Sequence, residues 1–227
     1  MTTRKVVTAC AAVLAFHAYA GTNDTLVLYT ENSAPNNYLA EDGKTVRGIA
    51  TEKIEAAFKK AGIPYAINVT SWSRALNMAK MQANACVYST AKLPERESSF
   101  QWVAPVAQSD WYLWGKVGSL KPVSLDEVRG GKAVCSLLGD APGRFLLADG
   151  MKVVSSESHE ICARNVLRGF ADYWATSLLA GTAEVTRLGL QDQIVPLIQF
   201  HHQDLYLACN PAVPKGTVEQ MKAALQP

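Results

Sequence analysis

The sequence predicts an α/β fold of two lobes, each a mostly parallel sheet flanked by helices, with a two-strand hinge between them. Three observations carry this. Short β-branched runs alternate with helix-spaced runs, an order that demands parallel pairing with helices on the sheet faces. The alternation occurs twice, with different residues. Two apolar extended runs, "WYLWGKV" at 111–117 and "QDLYLACN" at 203–210, lead into the second unit and out of it. Two such crossings make a hinge with a cleft beside it.

In the first unit, "TLVLYT" at 25–30 has the length and composition of a buried strand. A turn-rich stretch follows, in which Asp42-Gly43 is a hairpin-type turn signal. Ile54, Ala57, Phe58 and Ala61 then recur at i, i+3, i+4 and i+7, one face of a helix that stops at Gly62. "YAINVT" at 65–70 is a second strand, and Ser71 is placed to cap a helix carrying Trp72, Ala75, Leu76 and Ala79 on one face. "ACVYST" at 85–90 is a third strand.

The second unit opens with Ser124 and Glu127 at capping-box spacing, before a short helix that ends at Gly130-Gly131. "KAVCSLL" reads as a strand, and "DAPGRFLLADG" as a helix opening at Asp140. "MKVVSS" is a strand, "SHEICARNVLRG" a helix capped by Ser158, and "FADYWAT" the next strand. The four histidines offer little chemistry: His159 stands near a helix start, and His201-His202 are expected in a loop before the return crossing.

The first twenty residues read as a secretory signal. Arg4 and Lys5 precede the apolar run "VVTACAAVLAF", and Ala18 and Ala20 flank Tyr19 before a cut expected after Ala20. The run is too short to span a bilayer, which takes roughly 20 apolar residues. Export to the periplasm is the expectation. The organisation is then a signal over 1–20, a first lobe over 21–112, a second lobe over 113–203, and a return crossing with the C-terminal part of the first lobe over 204–227.

Without Arg4 and Lys5, the 22 bases of the full chain fall to 20, against 20 acids. A neutral chain has no basic stripe for nucleic acid, so no nucleic-acid partner is expected. Cys86, Cys135, Cys162 and Cys209 remain, and four cysteines allow three full pairings. Cys135 with Cys162 would be one pair, both in one lobe. Burial as small apolar residues is the other reading.

Taken in order, "LVLYTENSAPNNYLAEDGKTVRGIATEKIEAAFKKAG", "SWSRALNMAKMQANACVYSTAKLPERESSFQWVAPV", "SLDEVRGGKAVCSLLGD" and "RNVLRGFADYWA" resemble the extracellular solute-binding proteins of family 3. These are the polar amino-acid receptors of ABC importers. The resemblance covers most of 25–176 and implies the type II periplasmic-binding fold, closure on a small solute by hinge motion, and no cofactor or bound metal. It further implies a monomer and an ABC permease as membrane partner. A solute-sensing module without a permease is the alternative, and an enzyme of the dehydratase kind built on the same fold is a more distant one. No HExxH, GxSxG or Cys-His spacing supports an enzyme.

Site residues follow from the same likeness. The arginine that relatives use to grip the ligand carboxylate matches Arg96 in "LPER", and a planar guanidinium fork suits that task. Ser89 matches a position of polar contacts at the end of the third strand. Glu31, Tyr38, Trp72 and Arg74 resemble a subgroup with an acid after the first strand and a W-x-R at the second helix. Trp72 also lies on the helix's apolar face, and Arg74 could pair with Glu31.

Two departures alter the expected ligand. Asp140 stands where relatives carry Ser or Thr at the opening of the second lobe's first helix. It suits an N-cap, and if it faces the cleft it would repel a carboxylate and welcome a cation. Ser177 stands five residues beyond Asp172, where relatives hold the ligand ammonium with an aspartate, so the usual α-amino-acid clamp is incomplete.

Overall fold

The computed structural model describes residues 25–118 and 124–226. The predicted signal over 1–20 lies outside the described residues. Strand β1 (Leu26–Thr30) leads through a hairpin, β2 (Tyr38–Leu39) and β3 (Val46–Arg47), into helix α1 (Ile49–Ala61). The hairpin turns at Asp42-Gly43, with Asp42 Oδ1 accepting from the Lys44 and Thr45 amides at 2.8 Å. Then come β4 (Tyr65–Val69), α2 (Trp72–Met81), β5 (Ala85–Ala91) and the single turn α3 (Pro94–Glu97).

A long strand, β6 (Gln101–Lys116), passes to α4 (Leu125–Arg129), β7 (Ala133–Leu137), α5 (Ala141–Ala148) and β8 (Lys152–Ser156). Helix α6 (His159–Arg168), β9 (Tyr173–Ser177) and α7 (Leu178–Arg187) follow. A second long strand, β10 (Ile194–Cys209), returns to α8 (Lys215–Leu225). Ser158 caps α6 through its hydroxyl, which accepts from the Ile161 amide at 3.2 Å. Ser124 holds the N-cap position of α4, with no side-chain cap bond.

The main sheet runs β4-β1-β5-β10-β6-β9-β7-β8. Two parallel trios, β4-β1-β5 and β8-β7-β9, flank the antiparallel pair β10 and β6. The hydrogen-bond ladder is unbroken, because β10 pairs with β5 over Leu205–Cys209 while β6 pairs with β9 over Trp111–Trp114. The two expected sheets are thus joined through the crossing strands.

Both faces of the inner parallel strands β1, β5, β7 and β9 are buried, as a parallel sheet demands, while the edge strands β4 and β8 are more open. In the first half Leu28, Ile54, Phe58, Tyr88 and Met221 pack on one side and Tyr29, Trp72, Ala75 and Val87 on the other. In the second half Trp114, Trp174 and Val166 share one core, and Leu113, Val134 and Leu146 the other. The period-two alternation along β6 sends Leu113 and Trp114 to opposite sides. A smaller cluster, Ala91, Leu93, Trp111, Ala141 and Leu205, lies where the halves meet.

Two disulfides staple this frame. Cys135 joins Cys162, tying β7 to α6, and Cys86 joins Cys209, tying β5 to the returning strand β10. The expected loop at His201-His202 is instead part of β10, paired opposite Trp111 and Asp110. Its polar residues hid the strand, which is held by pairing with β6 over nearly its whole length. Among the described residues, no helix is long and apolar enough to cross a membrane.

Candidate functional site

Each parallel trio has the order second, first, third strand, so its connections leave in opposite directions between the first and third. Open α/β sheets bind ligands at that point, beyond the carboxyl ends of the strands. Here the points from the two halves meet. Glu31 follows β1, Ser89 and Ala91 end β5, Asp140 stands just beyond β7, and Thr176 and Ser177 end β9. All of them line one cavity, floored by Ser109 and Trp111 of β6 and Leu205 of β10. The cavity is small, about 50 Å³, with room for a few waters.

The turn after β1 supplies a further wall. Gly48 adopts φ 121°, and a Cβ there would meet the Asn36 backbone at 2.5 Å. Only glycine lets α1 approach so closely. The close approach allows the first amides of α1, on Ile49 and Ala50, to donate to the Pro35 and Asn36 carbonyls at 3.0 Å. Backbone rather than a side chain thus caps α1, and Asn36 and Asn37 are held against the cavity.

Arg96 is the central charge. It sits on the short turn α3, is 3 % exposed, and lines the cavity. Its Nη2 donates to the Gly139 carbonyl at 2.7 Å, and Nη1 to Thr90 Oγ1 and the Ala91 carbonyl at 3.4 Å. Its guanidinium lies 5.5 Å from the Trp72 ring. Trp72 Nε1 donates to the same Gly139 carbonyl at 3.0 Å. One carbonyl of the second half therefore accepts from two side chains of the first.

None of the ion pairs among the described residues includes Arg96, Glu31 or Asp140. Arg96 is buried while Glu31, Asp140 and His159 are half-buried, and a charge drawn away from water without a close counter-charge shifts toward neutrality where it can. Burial, reinforced by Asp140 and opposed by Arg96, pushes the Glu31 carboxyl up to about 8. Burial also raises Asp140, against the pull of His159, the Ala141 amide and Arg96. Burial holds His159 below its usual value, opposed by Asp140 and Glu184. The guanidinium stays charged, having no accessible neutral form.

Several buried polar atoms of lining residues have no hydrogen-bond partner: Asn36 Oδ1, Asn37 Oδ1, Ser89 Oγ and His159 Nδ1. Buried polar groups are normally satisfied, and four of the seven exceptions among the described residues belong to residues that line this cavity. Ser89 adds a second mark. It is the one non-glycine residue at positive φ among the described residues, at 59°. Strain of that kind collects at ligand clamps.

Of the eight residues named from the sequence, Glu31, Trp72, Ser89, Arg96, Asp140 and Ser177 line this cavity. Tyr38 stands half-buried on β2 and Arg74 exposed on α2, both outside it, and Arg74 makes no ion pair with Glu31. Asp140 Oδ1 accepts from the Ala141 amide at 2.7 Å as the cap of α5, and the residue also lines the cavity. Ser177 likewise caps α7, its hydroxyl accepting from the Ala180 amide at 3.0 Å. Sequence reasoning missed Asn36, Asn37, Ser109, Trp111, Thr176 and His159 as cavity residues. The position of Thr176 at the end of the run "YWAT" carried a signal for it; nothing in the sequence marked the others.

The fold is that of the periplasmic binding proteins. A histidine kinase sensor domain with similarity to periplasmic binding proteins superposes with a TM-score of 0.80 at 15% identity, covering 89% of each chain. An ancestral arginine-binding protein bound to arginine gives 0.76 at 18% identity, over 88% of this chain and 90% of that one. The ancestral amino acid-binding protein AncCDT-1, a precursor of cyclohexadienyl dehydratase, gives 0.72 at 18% identity, over 88% of each. No family model matches the sequence, and no curated protein matches it.

Proposed function

We propose that this is an exported solute-binding protein whose two halves act as lobes, over 21–112 with 204–227 and over 113–203. The lobes close on one small polar solute and perform no chemistry on it. The observation that carries the reading is Arg96: a guanidinium 3 % exposed, with no ion pair, facing a cavity built from strand ends of both halves. A ligand carboxylate there would gain a charge-assisted, bidentate contact with a buried guanidinium that makes no close ion pair. The bound amino acid in one structural neighbour and the sensor role of another support a small-molecule ligand.

Delivery to an ABC permease is the downstream role proposed, with sensing for a membrane partner as the variant; an adjacent permease and ATPase gene pair would decide for import. A thermal-shift screen of amino acids, polyamines, dipeptides and organic acids tests binding. A ligand at a hundred times its Kd adds about 2.7 kcal/mol of stability. Arg96→Ala should abolish a hit that depends on a carboxylate and leave a purely cationic hit nearly intact. No stabilisation by any compound would refute the proposal.

A second reading is an eliminating enzyme on the same frame. Glu31 follows β1 and lines the cavity, where burial pushes its carboxyl up to about 8, as suits a general acid. Turnover of prephenate by the purified protein would establish that reading, and a tight hit without turnover would remove it.

A further inference from the structure

The geometry points to a second ligand site outside the cavity, a pocket between the two halves in which Lys80 and Arg144 grip a phosphate group in the field of Arg96. The site stands whether or not the inner cavity takes a solute.

The pocket lies between α2, α3 and the start of α5, and its volume is about 450 Å³, against about 50 Å³ for the cavity behind it. Small-molecule sites span about 300–1,000 Å³. Both halves build the pocket. Lys80 comes from the last turn of α2 and Arg96 from α3, in the first half, and Arg144 comes from α5, in the second. Three cations thus line one space, and Glu95 is the only acid among the described residues that do. The excess is local, since the chain beyond residue 20 carries equal numbers of bases and acids.

These charges are not matched within the protein. None of the ion pairs among the described residues includes Lys80, Glu95, Arg96 or Arg144. Lys80 Nζ lies 5.9 Å from the centroid of the Phe100 ring, a contact that steadies the ammonium without neutralising it. Arg144 stands near the N-terminus of α5, where the helix dipole favours an anion, so helix stability does not account for a cation there. Burial disfavours the charge on Arg96; Asp140, Glu95 and Glu31 favour it, and Arg144 opposes it from the other half.

An anion between Arg144 and Lys80 turns that repulsion into two attractions and joins the halves from outside. A phosphate group suits the task because it carries close to two negative charges and three acceptor oxygens, enough to engage a cation from each half. Ser73 and Asn77 supply uncharged donors on the same wall. Leu76 and the exposed Leu138 give the organic part of a phosphate ester an apolar surface.

The test uses the full mature chain, with inorganic phosphate and phenyl phosphate as probes and chloride as the control at matched ionic strength. Titration calorimetry and thermal melts at pH 8 should show saturable binding of both phosphates and none of chloride. Tighter binding of phenyl phosphate assigns the site to phosphate esters, and equal binding assigns it to the free ion. Lys80→Gln and Arg144→Gln should each weaken binding about tenfold, the loss of one hydrogen bond to a charged group. Lys80→Arg should keep it. Glu95→Gln should tighten it a few-fold, a change that general damage to the fold would not produce. All three substituted side chains are exposed, so the variants should fold. No saturable binding of either phosphate, or binding that Lys80→Gln and Arg144→Gln leave unchanged, would overturn the inference. Either result leaves solute binding standing, because that is read with the amino acids and organic acids named above.

Discussion

Replacing Trp72 with phenylalanine separates packing from closure. The indole is 4 % exposed and belongs to the core between α2 and the first half of the sheet. Its Nε1 also reaches across to the Gly139 carbonyl at 3.0 Å. Phenylalanine keeps a ring but loses that donor. The net worth of such a hydrogen bond is about 1 kcal/mol. The carbonyl is not orphaned, because Arg96 Nη2 still donates to it at 2.7 Å, so no desolvation penalty is added.

The contact between halves therefore weakens by about 1 kcal/mol, a factor of about five in the closing equilibrium. The smaller ring costs roughly a further 1 kcal/mol in the core, and a weaker face for Arg96 about 0.5 kcal/mol more. Those two losses fall within the first half and act on global stability alone. The expected result is a ligand affinity lowered about fivefold by calorimetry, with small-angle scattering showing an expanded empty protein. Global stability should drop by about 2 kcal/mol in denaturant titration. A stability loss with unchanged affinity and unchanged compactness would refute the clasp and leave Trp72 a packing residue only.

Four further outcomes are expected. The Cys86–Cys209 bridge closes the longer loop, with a sequence separation of 123. On the chain-entropy account, Cys86→Ala with Cys209→Ala should cost about 5 kcal/mol, read as a fall in denaturant midpoint. Ser89→Gly relieves φ 59° and should raise stability by up to about 1 kcal/mol while weakening ligand binding; a loss of stability would argue against strain. The empty protein should lose stability as pH rises from 4.5 toward about 8, because folded Glu31 keeps a proton that the unfolded chain has released. Thermal melts of wild type and Glu31→Gln across that range check the sign, and the variant should show the smaller decline. Gly181→Ala would drive a methyl group into the Trp114 indole, which is fully buried, and should cost about 1–3 kcal/mol by calorimetric melting.

The alternation of strands and helices was legible because its periods are local: Ile54, Phe58 and Ala61 declare a helix face within three turns. Cap residues Asp140 and Ser158, the turn at Asp42-Gly43, and the lone arginine of "LPER" were legible for the same reason. The second and third strands of each unit, and hence the α/β class with paired parallel trios, followed from the sequence alone. So did one of the two disulfides as a candidate, since Cys135 and Cys162 fall in one unit.

Tertiary structure decided the rest. The extended runs at 111–117 and 203–210 were legible, but their extension into the long strands β6 and β10 through Gln108, Asp110 and His202 comes from their pairing with each other, a gain no local pattern records. The pairing of Cys86 with Cys209 waits on β5 and β10 lying side by side. Asn37 enters the cavity because Gly48 lets α1 press on its turn, and His159 because α6 starts beside the mouth of α5. The clasp at Gly139 is invisible in any sequence, since its acceptor is a backbone carbonyl that every residue possesses. Side-chain identity fixes what each group can do, and long-range packing fixes which groups share one cavity, where proximity and partial desolvation shift the acids that line it.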